Sequence, residues 1–374
     1  MSELKVVISG GGTGGHIFPA VSIANAIREL EPETEILFIG AEGRMEMQRV
    51  PAAGYKIVGL PIRGLIRPLW KPANIGVLID FLKSKRLAKN TLRQFCPDVA
   101  VGVGGYASSA TLNAAYELGV PCLIQEQNSY AGLTNKTLAK KAEKICVAYE
   151  GMERFFPKDR IILAGNPVRQ GLLDPNLTKT ESTAIFGLEP DLPTILIVGG
   201  SLGARTMNES VLGSLDSIRN SKVQFIWQTG GYYYKEIQEA LSRQGKPENL
   251  YVTDFIARMD QAYKAADLVI SRAGASSISE LCLLGKPSIL VPSPNVAEDH
   301  QTCNAMALVK KNAAIMVRDA EAREQLIPKA LQLVTDKEQL KSIGDNAYKM
   351  AYKDSARIIA QEVIKLARGR KVED

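Results

Sequence analysis

The chain has 374 residues, a hydrophobic content of 45% and a formal net charge of +6. Because single hydrophobic cores stop growing at about 250–300 residues, this length predicts two domains. The five cysteines form no C-x-x-C pair, which argues against a zinc ribbon or a disulfide scaffold and favours a reducing cytosol. The N-terminus lacks the layout of a secretory signal, and no apolar run reaches the ~18 residues of a membrane span. The positive charge favours an anionic partner, but no nucleic-acid-binding module is recognisable.

Short apolar runs alternate along the chain with amphipathic segments, a pattern typical of parallel strands in βαβ units. The predicted strands of the first half are KVVISG, EILFIG, DVAVGVG, PCLIQEQ and KICVAY, and those of the second half are TILIVGG, VQFIWQTG, LYVTDF, DLVISRAG and PSILVPSP. Each half opens with a strand, a glycine-rich turn and a helix start, VVISGGGTGGH and ILIVGGSLGAR. We therefore predict an α/β protein made of two Rossmann-like domains in tandem.

A proline-containing stretch between the two halves marks the domain boundary, which we expect near Gly165. The predicted domains are residues 1–165 and 166–345, followed by a helical segment over 346–374. This last segment is amphipathic with a basic end, and would either cap the second domain or pack back on the N-terminal domain. Ligands of open α/β sheets bind at the carboxyl ends of the strands, so two facing sheets would line a cleft from both sides.

The first glycine-rich turn, GGGTGGHIFPA, places Gly10, Gly12 and Gly15 in G-x-G-x-x-G spacing. That spacing alone is weak evidence, and a nicotinamide enzyme stays open because Glu42 follows the next predicted strand, where a ribose-binding acid is expected. The residue after the glycines is His16, one of two histidines in the chain. A helix N-terminus favours the neutral imidazole that can accept a proton, so His16 is a candidate general base.

The segment over residues 63–93 mixes apolar and basic side chains. Its apolar members are Leu65, Ile66, Leu69, Trp70, Ile75, Leu78, Ile79, Phe81 and Leu82, and its basic members are Arg63, Arg67, Lys71, Lys83, Lys85, Arg86, Lys89 and Arg93. Such a helix commonly packs one face on the core and exposes the other to solvent. Alternatively, the apolar and basic residues would form an interfacial patch on an anionic membrane leaflet.

Two further stretches of the first half end predicted strands with polar or glycine residues. GVGGYASSA places Gly104, Gly105 and Tyr106 before a helix, either as a plain βα turn or as part of a site. Glu126 and Asn128 in QEQNSYAG follow a buried strand, where amides and a carboxylate would bind sugar hydroxyls.

In the second half, the GGSLGAR turn would present Ser201 and backbone N–H groups to an anion. Glu280 lies in the early turns of the helix after SRAGAS, where it would bind the vicinal hydroxyls of a ribose or only complement the helix dipole. The chain has no Asp-x-Asp pair that would chelate a metal diphosphate and no zinc-ligand spacing. We therefore predict metal-independent chemistry without a cofactor, in which helix N-termini and cations such as Arg169 neutralise a diphosphate.

Seven of these stretches together resemble the MurG family of GT-B glycosyltransferases, the peptidoglycan lipid II synthases. They are GGGTGGHIFPA, GVGGYASSA, QEQNSYAGLTNKTLAKKA, GNPVR, GGSLGAR, SRAGASSISEL and EDHQTCNA, and they occur in the family's order from about residue 5 to about residue 350. The resemblance implies two facing Rossmann-like domains, with the acceptor in the first and the nucleotide sugar mostly in the second. It implies transfer of N-acetylglucosamine from UDP-GlcNAc to the lipid-linked muramoyl-pentapeptide, lipid I.

The resemblance also implies roles for individual residues. On the N-terminal side it assigns the donor sugar and diphosphate to Thr13, Gly14, Gly15 and Asn128, and gives Gly104, Gly105 and Tyr106 to the acceptor side. On the C-terminal side it assigns the diphosphate to Arg169 and Ser201, uracil to the backbone of Ile256, phosphate and ribose to Ala275, Ser276, Ser277, Ile278, Ser279 and Glu280, and the sugar to Gln301 with support from Asp299. The implied reaction is inverting, with His16 as the base and Glu126 as its rival.

The chain departs from the family at Ser109, Ala110 and Leu202, where the family has Gly-Pro and Gln, and this affects the loops rather than a predicted catalytic group. The expected location is the cytoplasmic face of the bacterial plasma membrane, as a peripheral protein in contact with anionic lipid and with cell-wall synthesis proteins. The alternatives are a UDP-GlcNAc 2-epimerase, another lipid glycosyltransferase, and a non-enzymatic sugar-nucleotide-binding or anchoring subunit.

Overall fold

The computed structural model describes residues 3–12, 14–64, 70, 72–168, 171–200, 202–296 and 299–369. The chain forms two compact units: Met1–Arg169 together with Tyr352–Asp374, and Gln170–Ala351. Each unit contains one parallel β-sheet with helices between successive strands, which confirms the predicted α/β class and the tandem Rossmann-like architecture.

The first unit is built on a 7-stranded sheet. Its strands are β1 (Lys5–Ser9), β2 (Glu35–Ala41), β3 (Lys56–Leu60), β4 (Val99–Gly102), β5 (Cys122–Glu126), β6 (Lys144–Val147) and β7 (Ile161–Leu163). Its helices up to that point are α1 (Gly14–Leu30), α2 (Glu46–Ala52), α3 (Ala73–Phe95), α4 (Tyr106–Glu117) and α5 (Leu133–Leu138). The strand order is β3-β2-β1-β4-β5-β6-β7, so the chain reverses direction across the sheet between β1 and β4.

Burial explains why β1 reads as a continuous apolar run. Val6 pairs with Ile36 of β2 on one side and with Val99 of β4 on the other. The side chains of Val6, Val7 and Ile8 are all fully buried, since helices cover both faces of the sheet.

The second unit is built on a 6-stranded sheet in the order β10-β9-β8-β11-β12-β13. Its strands are β8 (Thr194–Val198), β9 (Gln224–Gln228), β10 (Leu250–Thr253), β11 (Leu268–Ser271), β12 (Ser288–Leu290) and β13 (Ile315–Met316). Its helices are α6 (Lys179–Ile185), α7 (Arg205–Leu212), α8 (Leu215–Arg219), α9 (Tyr234–Gln244), α10 (Met259–Ala265), α11 (Ala275–Leu283), α12 (His300–Val309), α13 (Ala322–Thr335) and α14 (Lys337–Lys349). The same reversal of direction occurs here between β8 and β11, and Trp227 and Phe225 of β9 are fully buried in the core.

The last helix, α15 (Ser355–Gly369), belongs to the first unit. Ile359 and Val363 are buried in the same core cluster as Ile23 and Ile27 of α1. At its end, Arg368 forms an ion pair with Glu31 at 2.5 Å. Of the two placements that the amphipathic pattern left open, the structure therefore has the one on the N-terminal domain.

Candidate functional site

In the first unit, the turns after β1 and β4 meet at the point where the strand order reverses. A Cβ built on Gly10 would lie 2.1 Å from Val103 Cγ2, and one built on Gly105 would lie 2.7 Å from the Gly11 carbonyl oxygen. The two turns therefore pack backbone against backbone, which only glycine permits at this distance. Crevices at such reversal points are the usual ligand sites of open α/β sheets.

His16 lies beside these two turns, in the first turns of α1. Its half-buried imidazole contacts Gly104, because a Cβ built there would be 2.9 Å from both Cδ2 and Nε2. The same Cβ position is 3.9 Å from Gln127 Oε1, in the segment that follows β5. The structure thus brings His16, Gly104 and Gln127 together, while Tyr106 begins α4 with its ring half exposed.

Glu126, the last residue of β5, is enclosed by hydrogen-bond donors. Its Oε1 accepts from the backbone N–H and the side-chain amide of Asn128 at 3.0 and 3.2 Å. Its Oε2 accepts from the Gly132 N–H at 3.0 Å and from Asn135 Nδ2 at 2.9 Å. Burial raises the pKa of the Glu126 carboxyl, and these donors act in the opposite direction. The carboxylate therefore shapes the loop that presents Asn128.

A buried chain of amides connects β5 to the GNPVR motif. Gln125 Nε2 donates to Asn166 Oδ1 at 3.0 Å, and Asn166 Nδ2 donates to the Gln127 carbonyl at 2.9 Å. Gln127 Nε2 in turn donates to the Val103 carbonyl at 2.7 Å and to Gln125 Oε1. The GNPVR motif is thereby joined to the turn after β4, whose Gly104 contacts His16.

In the second unit, the turn after β8 is held by Gln228 at the end of β9. The Gly200 N–H donates to Gln228 Oε1 at 3.0 Å, and Gln228 Nε2 donates to the carbonyls of Gly200 and Asp254 at 2.9 and 2.7 Å. A Cβ built on Gly230 would be 2.1 Å from the Gly203 nitrogen, so the turns after β8 and β9 also pack backbone to backbone.

Helix α11 begins just after β11, on the other side of the reversal point. Ser276 lies in its first turn, and its buried Oγ has no hydrogen-bond partner among the described residues. Further along, the buried Glu280 accepts a hydrogen bond from the Tyr263 hydroxyl at 2.9 Å. Before the helix, Arg272 pairs with Asp319 and donates to the Val291 carbonyl at 3.2 Å, which joins the ends of β11 and β12.

The remaining predicted residues of the second unit occupy nearby loops and helix starts. Ile256 follows β10 with its side chain buried, whereas the preceding Phe255 is 54% exposed. Gln301 lies in the first turn of α12, where its Oε1 accepts from the Ser293 N–H at 2.8 Å. Asp299 Oδ1 accepts from the Thr302 hydroxyl at 2.7 Å and so stabilises the start of that helix.

Helix α3 exposes an apolar row rather than burying it. The exposed fractions in this row run from 47% at Ile79 to 66% at Ile75, with Leu78 and Leu82 between them. The opposite face, which includes Val77 and Leu92, is buried. On the flank of the helix the cluster of basic residues is partly paired: Lys85 and Lys89 bond Glu117, and Arg63 bonds Asp80 at 2.7 Å.

Family models match most of the chain. The glycosyltransferase family 28 N-terminal domain matches residues 6–147, and the glycosyltransferase family 28 C-terminal domain matches residues 194–361. The chain is a member of glycosyltransferase family 28. The alternative interpretation as a nicotinamide enzyme is therefore wrong. Its expected ribose acid, Glu42, is exposed just after β2.

Relatives of this family 28 chain are similar along its whole length. A protein of Bacteroides thetaiotaomicron named UDP-N-acetylglucosamine–N-acetylmuramyl-(pentapeptide) pyrophosphoryl-undecaprenol N-acetylglucosamine transferase is 63% identical and covers 98% of each chain. The crystal structure of Acinetobacter baumannii MurG is 27% identical with a TM-score of 0.74, covers 97% of this chain and 99% of its own, and supports the predicted GT-B class. A Neisseria meningitidis UDP-GlcNAc 2-epimerase is 16% identical with a TM-score of 0.69, covers 97% and 100%, and shares the fold.

Three residues assigned from the family resemblance, Thr13, Arg169 and Ser201, lie outside the described residues, as do Leu65, Ile66, Arg67, Leu69 and Lys71 of the apolar and basic segment. Gly14 and Gly15 open α1, and Ala275 to Glu280 lie within α11. Within the described ranges no helix is long and apolar enough to cross a membrane. Among the same residues, no group of three or more His, Cys, Asp or Glu is arranged to hold a metal ion.

Several residues of these family 28 loops carry no signal that sequence reasoning could use. Gln228 bonds Gly200 of the GGSLGAR turn, and Tyr263 bonds Glu280 of the SRAGASSISEL motif, each from another element of the fold. Glu46 contacts the first glycine turn from the start of α2. Asn166 lies within a recognised motif, but its amide partners Gln125 and Gln127 are set by tertiary structure alone.

Proposed function

We propose that this chain transfers N-acetylglucosamine from UDP-GlcNAc to the 4-hydroxyl of the muramoyl-pentapeptide of lipid I, giving lipid II. The observation that carries the proposal is the 63% identity, over 98% of both chains, to a relative named for this transfer. The two glycine-lined reversal points, one in each unit, support it, because both are built to approach a ligand closely with backbone N–H groups.

The second unit binds the UDP moiety in this proposal. The N-terminus of α11 supplies backbone N–H groups and the Ser276 hydroxyl to phosphate, which accounts for a buried hydroxyl without a partner among the described residues. Glu280, oriented by the Tyr263 hydroxyl at 2.9 Å, accepts hydrogen bonds from the ribose hydroxyls. The backbone of Ile256, whose side chain is buried, binds uracil, and Gln301, whose Oε1 accepts from the Ser293 N–H, binds the sugar.

His16 takes the proton from the acceptor hydroxyl as that oxygen attacks the anomeric carbon. The C–O bond to UDP breaks as the new glycosidic bond forms, so the configuration inverts. The leaving diphosphate is stabilised by the N–H groups at the starts of α7 and α11 and by Arg169, so the step requires no metal. Contact with Gly104 fixes one side of the imidazole.

Glu126 acts as a positioning residue in this mechanism rather than as the base. Both of its oxygens already accept hydrogen bonds, from Asn128, Gly132 and Asn135. A carboxylate engaged in this way orients the Asn128 amide for the donor sugar, while Gly105 and Tyr106 line the acceptor side.

The protein binds the cytoplasmic face of the plasma membrane through α3. Its exposed row of Ile75, Leu78, Ile79 and Leu82 supplies apolar contact with the lipid. The exposed Lys83 and Arg86 beside that row attract anionic headgroups. This surface delivers the enzyme to a substrate that is itself anchored in the bilayer.

The test is an assay with UDP-GlcNAc and a short-chain lipid I analogue in the presence of EDTA. We expect release of UDP together with a disaccharide product whose new bond is β. Loss of transfer on chelation would refute the metal-free mechanism. A UDP-GlcNAc 2-epimerase would instead form the manno epimer without any acceptor, which nuclear magnetic resonance of the sugar nucleotide distinguishes.

The role of His16 is tested with the His16→Ala variant. We expect a loss of about 10²–10⁴-fold in kcat, the usual contribution of a general base, with nearly normal affinity for UDP. Turnover close to that of the wild type would remove His16 as the base.

A further inference from the structure

A buried carboxylate lies against the glycine turn that follows β1. Glu46, the first residue of α2, has a side chain only 1% exposed to solvent. Its Oε1 accepts from the N–H groups of Ala41 and Gly12 at 3.0 and 3.1 Å, and its Oε2 accepts from the Gly12 N–H at 3.0 Å. The turn expected to cradle a ligand anion thus has one of its N–H groups bound to an anion of the protein.

The glycines around Glu46 are explained by this carboxylate. A Cβ on Gly11 would lie 2.0 Å from Glu46 Oε1, and a Cβ on Gly40 would lie 2.6 Å from Glu46 Cγ. On the side of the turn away from Glu46, the Gly11 carbonyl oxygen is close to Gly105. The turn is therefore held between Glu46 and the loop whose Gly104 contacts the His16 imidazole.

We propose that Glu46 is a positioning residue for the transfer reaction, an internal anion that fixes residues 10–12 and, through them, the His16 imidazole. The proposal rests on the proposed function, in which His16 takes the acceptor proton. Hydrogen bonds to an ionised acceptor are roughly twice as strong as those between neutral groups. In a Gln side chain an amide NH₂ would replace Oε2 and face the Gly12 N–H, donor against donor.

The first experiment compares Glu46→Gln with a control, Asp98→Asn. Asp98 Oδ2 also accepts a hydrogen bond from a backbone N–H, that of Lys5 at 2.9 Å. This bond lies at the amino end of β1, whereas the glycine turn follows its carboxyl end. Since a misplacement of 1 Å can cost about a hundredfold in rate, we expect Glu46→Gln to lower kcat about tenfold to a hundredfold. We expect Asp98→Asn to leave kcat within about twofold, and both variants to keep the wild-type Kd for UDP.

A double-mutant cycle with His16→Ala separates positioning from general destabilisation. If Glu46 acts through His16, Glu46→Gln changes the residual kcat of the His16→Ala enzyme by less than about twofold. An equal loss of kcat in both backgrounds would overturn the proposal. The proposal would also fail if Glu46→Gln only raised the Kd for UDP and left kcat unchanged. Transfer by the wild type is measured first, because its absence would refute the proposed function instead.

A second pair of variants covers the case in which Glu46→Gln does not fold. Glu46→Asp and Glu46→Asn have the same length and differ in charge, so both lose the same packing. We expect the charged variant to have a kcat at least about fivefold higher than the neutral one, in line with the greater strength of charge-assisted hydrogen bonds. Equal kcat values would show that the anion has no role.

Discussion

Substitution of Gly104 by alanine tests the contact that fixes His16. The added methyl group would lie 2.9 Å from Cδ2 and Nε2 of the imidazole, whereas ordinary contact begins at 3.4 Å. The ring must then move by about 0.5 Å, since the backbone on either side is packed against the first glycine turn. A second effect is backbone strain, because Gly104 has φ +96°, a left-handed conformation that costs an alanine about 1–2 kcal/mol.

The two effects act on different quantities. Strain lowers the free energy of unfolding, whereas displacement of the imidazole lowers kcat. If a shift of 1 Å costs about a hundredfold, half that shift costs about tenfold, or about 1.4 kcal/mol in the activation free energy. The matched control is Gly151→Ala, because Gly151 has φ +76° and a Cβ there would meet nothing within 4 Å.

The assay is UDP release with the lipid I analogue, alongside thermal unfolding of both variants. We expect both to lose similar stability, and Gly104→Ala alone to lose about tenfold in kcat with little change in the KM for UDP-GlcNAc. A kcat for Gly104→Ala equal to that of Gly151→Ala would refute the contact as a determinant of rate.

Three further predictions concern other parts of the molecule. Tyr263→Phe removes the 2.9 Å hydrogen bond to Glu280, so the Kd for UDP measured by calorimetry should rise about three- to tenfold. An equal rise in the Kd for a 2′,3′-dideoxy analogue of UDP would contradict a role at the ribose. The double substitution Leu78→Ser with Leu82→Ser should reduce flotation with anionic liposomes and leave thermal stability unchanged, because both side chains are exposed. Unchanged flotation would rule out this face of α3 as the membrane-binding surface. Burial lowers the pKa of Lys286 to about 8, so the unfolded state binds more protons between pH 8 and the ordinary lysine pKa. The stability of the wild type should therefore rise with pH across that window relative to Lys286→Met, and parallel pH profiles would contradict the shift.

The sequence was sufficient for the parts of this protein that local patterns encode. The largely apolar run VVIS within KVVISG becomes the fully buried part of the central strand β1, and the two glycine turns fall after β1 and β8, beside the two reversal points. Seven ordered motifs led to the family, which the family models then confirmed. Alternating strands and helices also fix the α/β class, since parallel strands need helical crossovers.

The tertiary structure decided which groups meet at those turns. Glu46 in GRMEMQ has no sequence feature that separates it from the exposed Glu42, yet it alone reaches Gly12 and Ala41. The amphipathic pattern of α3 does not tell which face packs, and the structure shows the row from Ile75 to Leu82 exposed. The physical reason is the same in each case: hydrogen bonds and close contacts join segments far apart along the chain, and local propensity holds no information about them. His16 and Gly104 could both be singled out from sequence, but their contact with each other, and the Glu46 carboxylate on the other side of the glycine turn, could not.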